Sequence, residues 1–255
     1  MIGRFLTALG RGVVPPNFRP KLRRQWLKLL SAGTTANCCC CGSWLREFIP
    51  HGKPPEPDFL CPICRSKPPH RLSALLLEQH SEWFRYGGLV VHVAPEDELM
   101  KQLSAKARVA GMTYRSGGIT GQGEFYLDLL NLPFEAKSVD LLFCCHVLNM
   151  VQDDLAAMKE VFRVLKDDGV ALLQVPAFYE GPGSLESSSP EESLLLFNDS
   201  LMSRRYSDCD YVARLESVGF CVQHLRAKDF SDEKIQRHQL KGEVLHACSK
   251  GETHQ

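Results

Sequence analysis

The stretch from Phe134 to Pro176, FEAKSVDLLFCCHVLNMVQDDLAAMKEVFRVLKDDGVALLQVP, constrains this chain more than any other. It reads as strand, amphipathic helix, turn, strand. Val139 to Cys145 is a short apolar run with one early acid, Asp140. Leu155, Met158, Val161, Phe162 and Leu165 then recur at helical spacing, with Asp153, Asp154, Lys159, Glu160 and Lys166 between them. Asp167-Asp168-Gly169 closes the helix, and Val170 to Val175 is a second buried strand. Two such strands joined by one helix form a right-handed parallel crossover. The rest of the chain must complete that sheet.

Most of it can. Gly88 to Ala94 (GLVVHVA) is a first strand. Pro95-Glu96-Asp97-Glu98 opens a helix, since proline suits the first helical position and acids suit the positive end of the dipole. Met112 to Ser116 and Gly123 to Asp128 read as further strands. Helices follow at Pro190 to Phe197 and Asp208 to Ser217, and strands at Phe220 to Ala227 and Glu243 to Ser249. Phe178 to Ser189 is a polar loop long enough to be a lid. The expected fold class is α/β, a doubly wound, mostly parallel, seven-stranded sheet with its binding crevice at the carboxyl ends of the strands. A length of 255 residues holds one such domain and a small appendage.

The appendage announces itself by its cysteines. Cys38-x2-Cys41-Gly42 is followed by Cys61-Pro62-Ile63-Cys64. Each pair can aim two thiolates at one point, and two pairs make a closed tetrahedral four-sulfur site. Between them lie an expected strand, Trp44 to Ile49, and a proline-rich loop, His51 to Pro57. The reading is a small zinc ribbon with Cys38, Cys41, Cys61 and Cys64 as ligands of a structural zinc; four thiolates leave no open position for catalysis. Cys39 and Cys40 blur the first pair without having its spacing. Pro68 to Trp83 is then a helix joining ribbon to main domain. The domains expected are an arm over 1–36, the ribbon over 37–69 and the main domain over 70–255.

Net charge is zero but unevenly spread. Residues 1–46 carry eight basic groups and no acid, so the remaining 22 basic groups face all 30 acids. Three readings of the basic arm stay open: a solvated or surface-docked arm, an arm drawn to an anionic substrate or lipid headgroups, and a mitochondrial presequence. No apolar run approaches the ~20 residues that span a bilayer. Eleven cysteines, four in paired knuckles and others inside apolar strands, fit a reducing compartment. The expected location is the cytoplasm, or the mitochondrion if the arm is a presequence.

The motifs CPICRSKPPHRLSALLLE, VVHVAPEDEL, LDLLNLPF, VDLLFCCHVLNMVQDD, LKDDGVALLQVP and RRYSDCDYVARLESVGF stand here in that order. Together they resemble the class I S-adenosylmethionine-dependent methyltransferases, in particular a subgroup with an N-terminal zinc ribbon. The resemblance runs from about residue 38 to 226 and implies a Rossmann-like methyltransferase fold with S-adenosylmethionine as cofactor. It puts Ala94, Pro95 and Glu96 in place of the usual glycine-rich loop, with Glu96 beside the cofactor's ammonium group. Ser116 stands at the ribose side, and Asp128 and Leu129 where the adenine ring is met. Cys145 and His146 end the strand beside the methyl sulfonium. The sequence departs from the family pattern: the Asp-x-Gly-x-Gly-x-Gly loop is absent, Ser116-Gly117-Gly118 replaces the ribose-binding acid, and Asn149 and Met150 replace an acid and a histidine.

Methyl transfer from a sulfonium needs proximity, a dry pocket and, for some acceptors, a base. His146 is the candidate catalytic base; the alternative is a strand-end histidine bonded to backbone. His92, inside the first strand, reads as a core histidine. Tyr179, Arg205 and Tyr206 fall in loops that would cover the acceptor. Asp153-Asp154 reads as a helix-start cap. Three functions follow: a methyltransferase acting on a small molecule, sugar or glycan-linked acceptor; a catalytically inactive binding or partner protein of the same fold, favoured by the lost motif residues; and an RNA or protein methyltransferase using the basic arm.

Overall fold

The computed structural model describes residues 19–251 apart from 53, 122, 177–179 and 182. The described residues open on helix α1 (Arg19–Ser31), within the expected basic arm. Arg24 pairs with Glu98 at 3.1 Å, so the described part of the arm is tied to the main domain. The ribbon follows as two small hairpins, β1 (Ala32–Cys38) with β2 (Ser43–Leu45), and β3 (Ile49–His51) with β4 (Glu56–Leu60). The single strand expected over Trp44 to Ile49 is thus split between β2 and β3, and β4 occupies the end of the proline-rich loop and beyond.

Helix α2 (Pro68–Gln79) takes Pro68 and Pro69 in its first turn, where the missing N–H costs nothing. It ends before Trp83, which lies in a separate 3-10 turn. The main domain continues with β5 (Leu89–Val93), α3 (Asp97–Val109), β6 (Thr113–Gly117), β7 (Val139–Cys145), α4 (Asp154–Val164) and β8 (Leu165–Gln174). A short hairpin of β9 (Leu185–Glu186) and β10 (Arg204–Arg205) brackets α5 (Pro190–Phe197). Then come α6 (Asp208–Val218), β11 (Cys221–Arg226), α7 (Asp232–His238) and β12 (Val244–Ser249).

The six strands of the main sheet lie in the order β11-β12-β8-β7-β5-β6. All neighbours run parallel except β12, which is antiparallel to both β11 and β8. The strand expected over Gly123 to Asp128 is reduced among the described residues to isolated bridges, Gly117 with Phe125 in parallel and Asp128 with Asn131 antiparallel. Its start is a turn: Gly123 sits at φ +77°, where a side chain would strike the Ser116 backbone. Phe125 and Tyr126 are exposed in succession, so no alternating face holds the segment in the sheet.

Two apolar cores flank the sheet. Val90, Leu141, Phe143, Leu172 and Leu245 face α2, α3 and the ribbon. Val91, Leu142, Cys144, Leu173 and Cys248 face α4 and α6. The helices are fixed at their ends as their sequences dictate. Asp153 caps α4 by accepting from the Ala156 amide at 2.9 Å, and Ser189, Ser207 and Ser231 cap α5, α6 and α7. Gly219 closes α6 at φ +109°. Because β5 has β6 on one side and β7 on the other, the strand order reverses there and a crevice opens above Val93 and Cys145. Among the described residues no helix is long and apolar enough to cross a membrane.

Candidate functional site

The turn that ends β5 sets the crevice. Ala94 takes φ +48° and donates its amide to the Gly117 carbonyl at 2.6 Å. This left-handed step is one that a glycine would normally take. It carries the chain over β5, so Glu96, one residue before α3, comes back onto His92. Glu96 Oε2 lies 3.3 Å from His92 Nε2, and its Oε1 lies 3.5 Å from His70 Nε2 on α2. His92 is fully buried and also meets the Tyr114 hydroxyl at 2.9 Å through Nδ1. Burial alone would raise the Glu96 pKa, but the hydrogen bond from His92 and the field of His70 take it below the usual carboxylate range. The crevice therefore contains a fixed negative charge.

Across from it, β7 ends in Cys145 and His146. Cys145 is buried and lies with His70 and Glu96 in one cluster; its thiol reaches Gln174 Oε1 at 3.5 Å. Burial pushes that thiol well above its ordinary pKa, so it is a neutral wall and not a nucleophile. His146 adopts φ +56° and donates its amide to the Gln174 carbonyl at 2.7 Å. Among the described residues its buried Nε2 has no hydrogen-bond partner, nor has either amide atom of the Asn149 side chain. Burial lowers the His146 pKa to about 4, so the ring is neutral at physiological pH. Buried polar atoms left open at a crevice are what a polar ligand would satisfy.

Ser116 is buried at the end of β6, in register with His92. Leu129 is buried in the same core cluster as Val93 and Ala94, and Asp128 turns Oδ1 onto the Leu130 amide at 2.9 Å. A cavity of about 150 Å³ lies between Glu96, His70 and the ribbon residues Cys64, Arg65 and Ser66. It is smaller than the roughly 300–1,000 Å³ of pockets that enclose whole drug-sized ligands. The ribbon is thus one wall of the crevice.

The residues expected at an acceptor surface are scattered. Tyr179 lies outside the described residues. Arg205 is half-buried, its guanidinium 5.6 Å from the centre of the Phe197 ring. Tyr206 is a core residue: it is 1 % exposed and donates its hydroxyl to Asp154 Oδ2 at 2.7 Å. Asp154 does more than start a helix. Buried to 3 %, it pairs with Arg204 at 3.2 Å and Arg214 at 3.1 Å, fastening the 185–205 segment to α4 and α6.

The four expected cysteines converge. Cys38, Cys41, Cys61 and Cys64 have their Sγ atoms within 4.8 Å of one another, with Cys38 to Cys64 at 3.6 Å and Cys41 to Cys61 at 3.9 Å. A metal about 2.3 Å from four sulfurs needs sulfur separations of about 3.8 Å, so the set fits a tetrahedral zinc site. Gly42 at φ +68° and Arg65 at φ +63° close the two knuckles. Ser66 Oγ contacts Cys38 and Cys64 at 3.1 and 3.3 Å. Cys39 and Cys40 turn away to the carbonyls of Arg71 and His70.

Sequence reasoning missed Arg71. Fully buried, it donates to the carbonyls of Phe59, Ser66, His238 and Gln239 at 2.6–3.0 Å and lies 4.0 Å over the Phe48 ring. It has no carboxylate partner in this set. Burial lowers its pKa. No local pattern could have singled it out, because two of its four carbonyls come from α7, about 170 residues away.

Residues 77–173 match the model of a family described as a methyltransferase domain. A search of curated proteins finds no match. Among solved structures, the [4+2]-cyclase SpnF superposes with a TM-score of 0.50 at 13% identity, covering 71% of this chain and 82% of that one. A Burkholderia thailandensis 1,6-didemethyltoxoflavin-N1-methyltransferase with bound S-adenosylhomocysteine gives 0.48 at 13% identity, covering 72% and 79%. A methyltransferase in complex with the Haloferax volcanii activator Trm112 gives 0.47 at 17% identity, covering 68% and 88%. Residues 77–173 thus match a methyltransferase-domain model, and the main sheet has the Rossmann-like fold of the class I S-adenosylmethionine-dependent methyltransferases.

Proposed function

We propose that this protein is an S-adenosylmethionine-dependent methyltransferase acting on a small-molecule, sugar or glycan-linked acceptor. The observation that carries this reading is the Glu96 carboxylate, held ionised at the end of β5 by His92 and His70. In the reading, Glu96 takes the ammonium group of the cofactor while Ala94 and Pro95 shape the floor beneath it. Ser116 lies toward the ribose, and Leu129 with Asp128 borders the adenine. The cofactor, when bound, supplies an electrophilic methyl group for in-line displacement. Cys145 keeps that corner dry, and the neutral His146 ring accepts a proton from the acceptor at Nε2. Arg205 borders the acceptor from the segment after β8. The ribbon over 37–69 carries a structural zinc on its four cysteines and walls the crevice of the domain over 70–255.

A second reading has a specific observation behind it. Glu96 already has two imidazole partners, and the cavity beside it is small. A catalytically inactive binding protein of the same fold would have such a crevice. Calorimetric titration of the full chain with S-adenosylmethionine and S-adenosylhomocysteine decides first. Absence of heat with both at millimolar concentration ends the transferase reading; binding without methyl transfer to any acceptor tried leaves the binding-protein reading standing.

A further inference from the structure

A second group of metal-ligating side chains lies away from both the ribbon and the crevice. β11 and β12 pair antiparallel with His224 directly opposite His246. The two rings are 4.9 Å apart at their centres. Asp208, the first residue of α6, brings its carboxylate between them: Oδ1 is 3.8 Å from His224 Nε2 and 3.7 Å from His246 Nε2. All three ligand atoms lie within 4.8 Å of one another. We propose that Asp208, His224 and His246 form a binding site for a divalent transition-metal ion of the zinc class, distinct from the four-cysteine cluster.

Distance separates this arrangement from an ordinary ion-pair cluster. At 3.7 and 3.8 Å, neither Asp208 contact is a hydrogen bond, in contrast to the 3.3 Å contact between Glu96 and His92. A charged pair would need protonated rings, and burial opposes that. The His246 side chain is fully buried and the His224 side chain only 22 % exposed. Neutral imidazoles are the form that binds metal. A carboxylate oxygen facing two neutral rings at these distances is a set of donors converging on a gap that a cation fills.

The remaining requirements are met. A metal about 2.0–2.1 Å from each atom needs separations near 3.4 Å, so a shift of a few tenths of an ångström closes the set. Asp208 is half exposed and can make that shift, whereas His246 is fixed by packing. Two histidines and one carboxylate leave open positions for water, and the exposed Asp208 side gives the ion a path in.

The test is a zinc titration of the full chain, wild type against His224→Gln and Asp208→Asn. Both substitutions are partly exposed and close to isosteric. Any metal on the cysteines is common to all three proteins, so the difference reports this site alone. Wild type should bind about one more equivalent than His224→Gln, and Asp208→Asn should bind that equivalent at least roughly tenfold more weakly. Equal stoichiometry and affinity in the three proteins, or no second equivalent in wild type, would overturn the proposal.

Discussion

Glu96 Oε2 lies 3.3 Å from His92 Nε2, so the last turn of β5 carries a carboxylate back onto the strand it has just left. The contact sets a charge where the crevice is deepest. In the proposed reading, Glu96→Gln removes that charge while keeping the shape. S-adenosylmethionine affinity should fall roughly 10- to 100-fold, the worth of one charge-assisted bond, with thermal stability little changed. Calorimetry on both proteins checks it; equal affinities would remove Glu96 from the cofactor site.

His146 gives stability a pH dependence of known sign. Its folded pKa of about 4 lies below the ordinary 6.5, because burial disfavours the charged ring. Unfolding lets the ring take up a proton. Its contribution is therefore complete above pH 6.5, declines as pH falls toward 4, and changes no further below that. Asn tolerates the left-handed backbone at this position, so His146→Asn should lose less stability than wild type between pH 7 and pH 4.5. Urea unfolding at the two pH values measures this, and parallel losses would contradict it.

Asp154 and Arg204 are both nearly inaccessible, at 3 % and 5 % side-chain exposure, and Arg214 and Tyr206 complete the group. Removing one partner strands the others. Asp154→Ala should cost about 3–5 kcal/mol, read from denaturant unfolding. A cost below about 1 kcal/mol would mean that water reaches the site and screens it.

Arg71 makes four hydrogen bonds to carbonyls that a lysine ammonium cannot reproduce from one point. Arg71→Lys should destabilise by roughly 2–4 kcal/mol. It should also loosen α7, which hydrogen exchange at 232–240 would detect. Unchanged exchange there would show that α7 is held by its other contacts.

The cysteine cluster predicts metal dependence. Elemental analysis should find about one tightly held zinc per chain, and a strong chelator should lower the melting temperature. Cys61→Ser should reproduce that loss, because Cys61 is fully buried in the cluster. A chelated protein that melts like the untreated one would deny the ribbon its metal.

How much of this was legible in the sequence follows the range of each interaction. The crossover from Val139 to Gln174, the helix caps at Asp153 and Ser207, and the two CxxC knuckles are set by residues within a few positions of one another, and their spacing declares them. The strand expected at Gly123 to Asp128 did not form, because a strand needs a face to bury and Phe125 and Tyr126 have none. Tyr206, expected in a loop over the acceptor, lies instead in the core. The partner that draws it inside, Asp154, lies fifty-two positions earlier.

The sequence alone determined an α/β sheet with a four-cysteine appendage, since periodicity and thiol spacing are local properties of the chain. Only the tertiary structure decided that Glu96 lies between His70 and His92, that Arg71 joins ribbon to α7, and that Asp208 meets His224 and His246. Those placements depend on helices and strands from distant parts of the chain packing on one sheet. Desolvation and charge then give each side chain a character that its identity does not reveal.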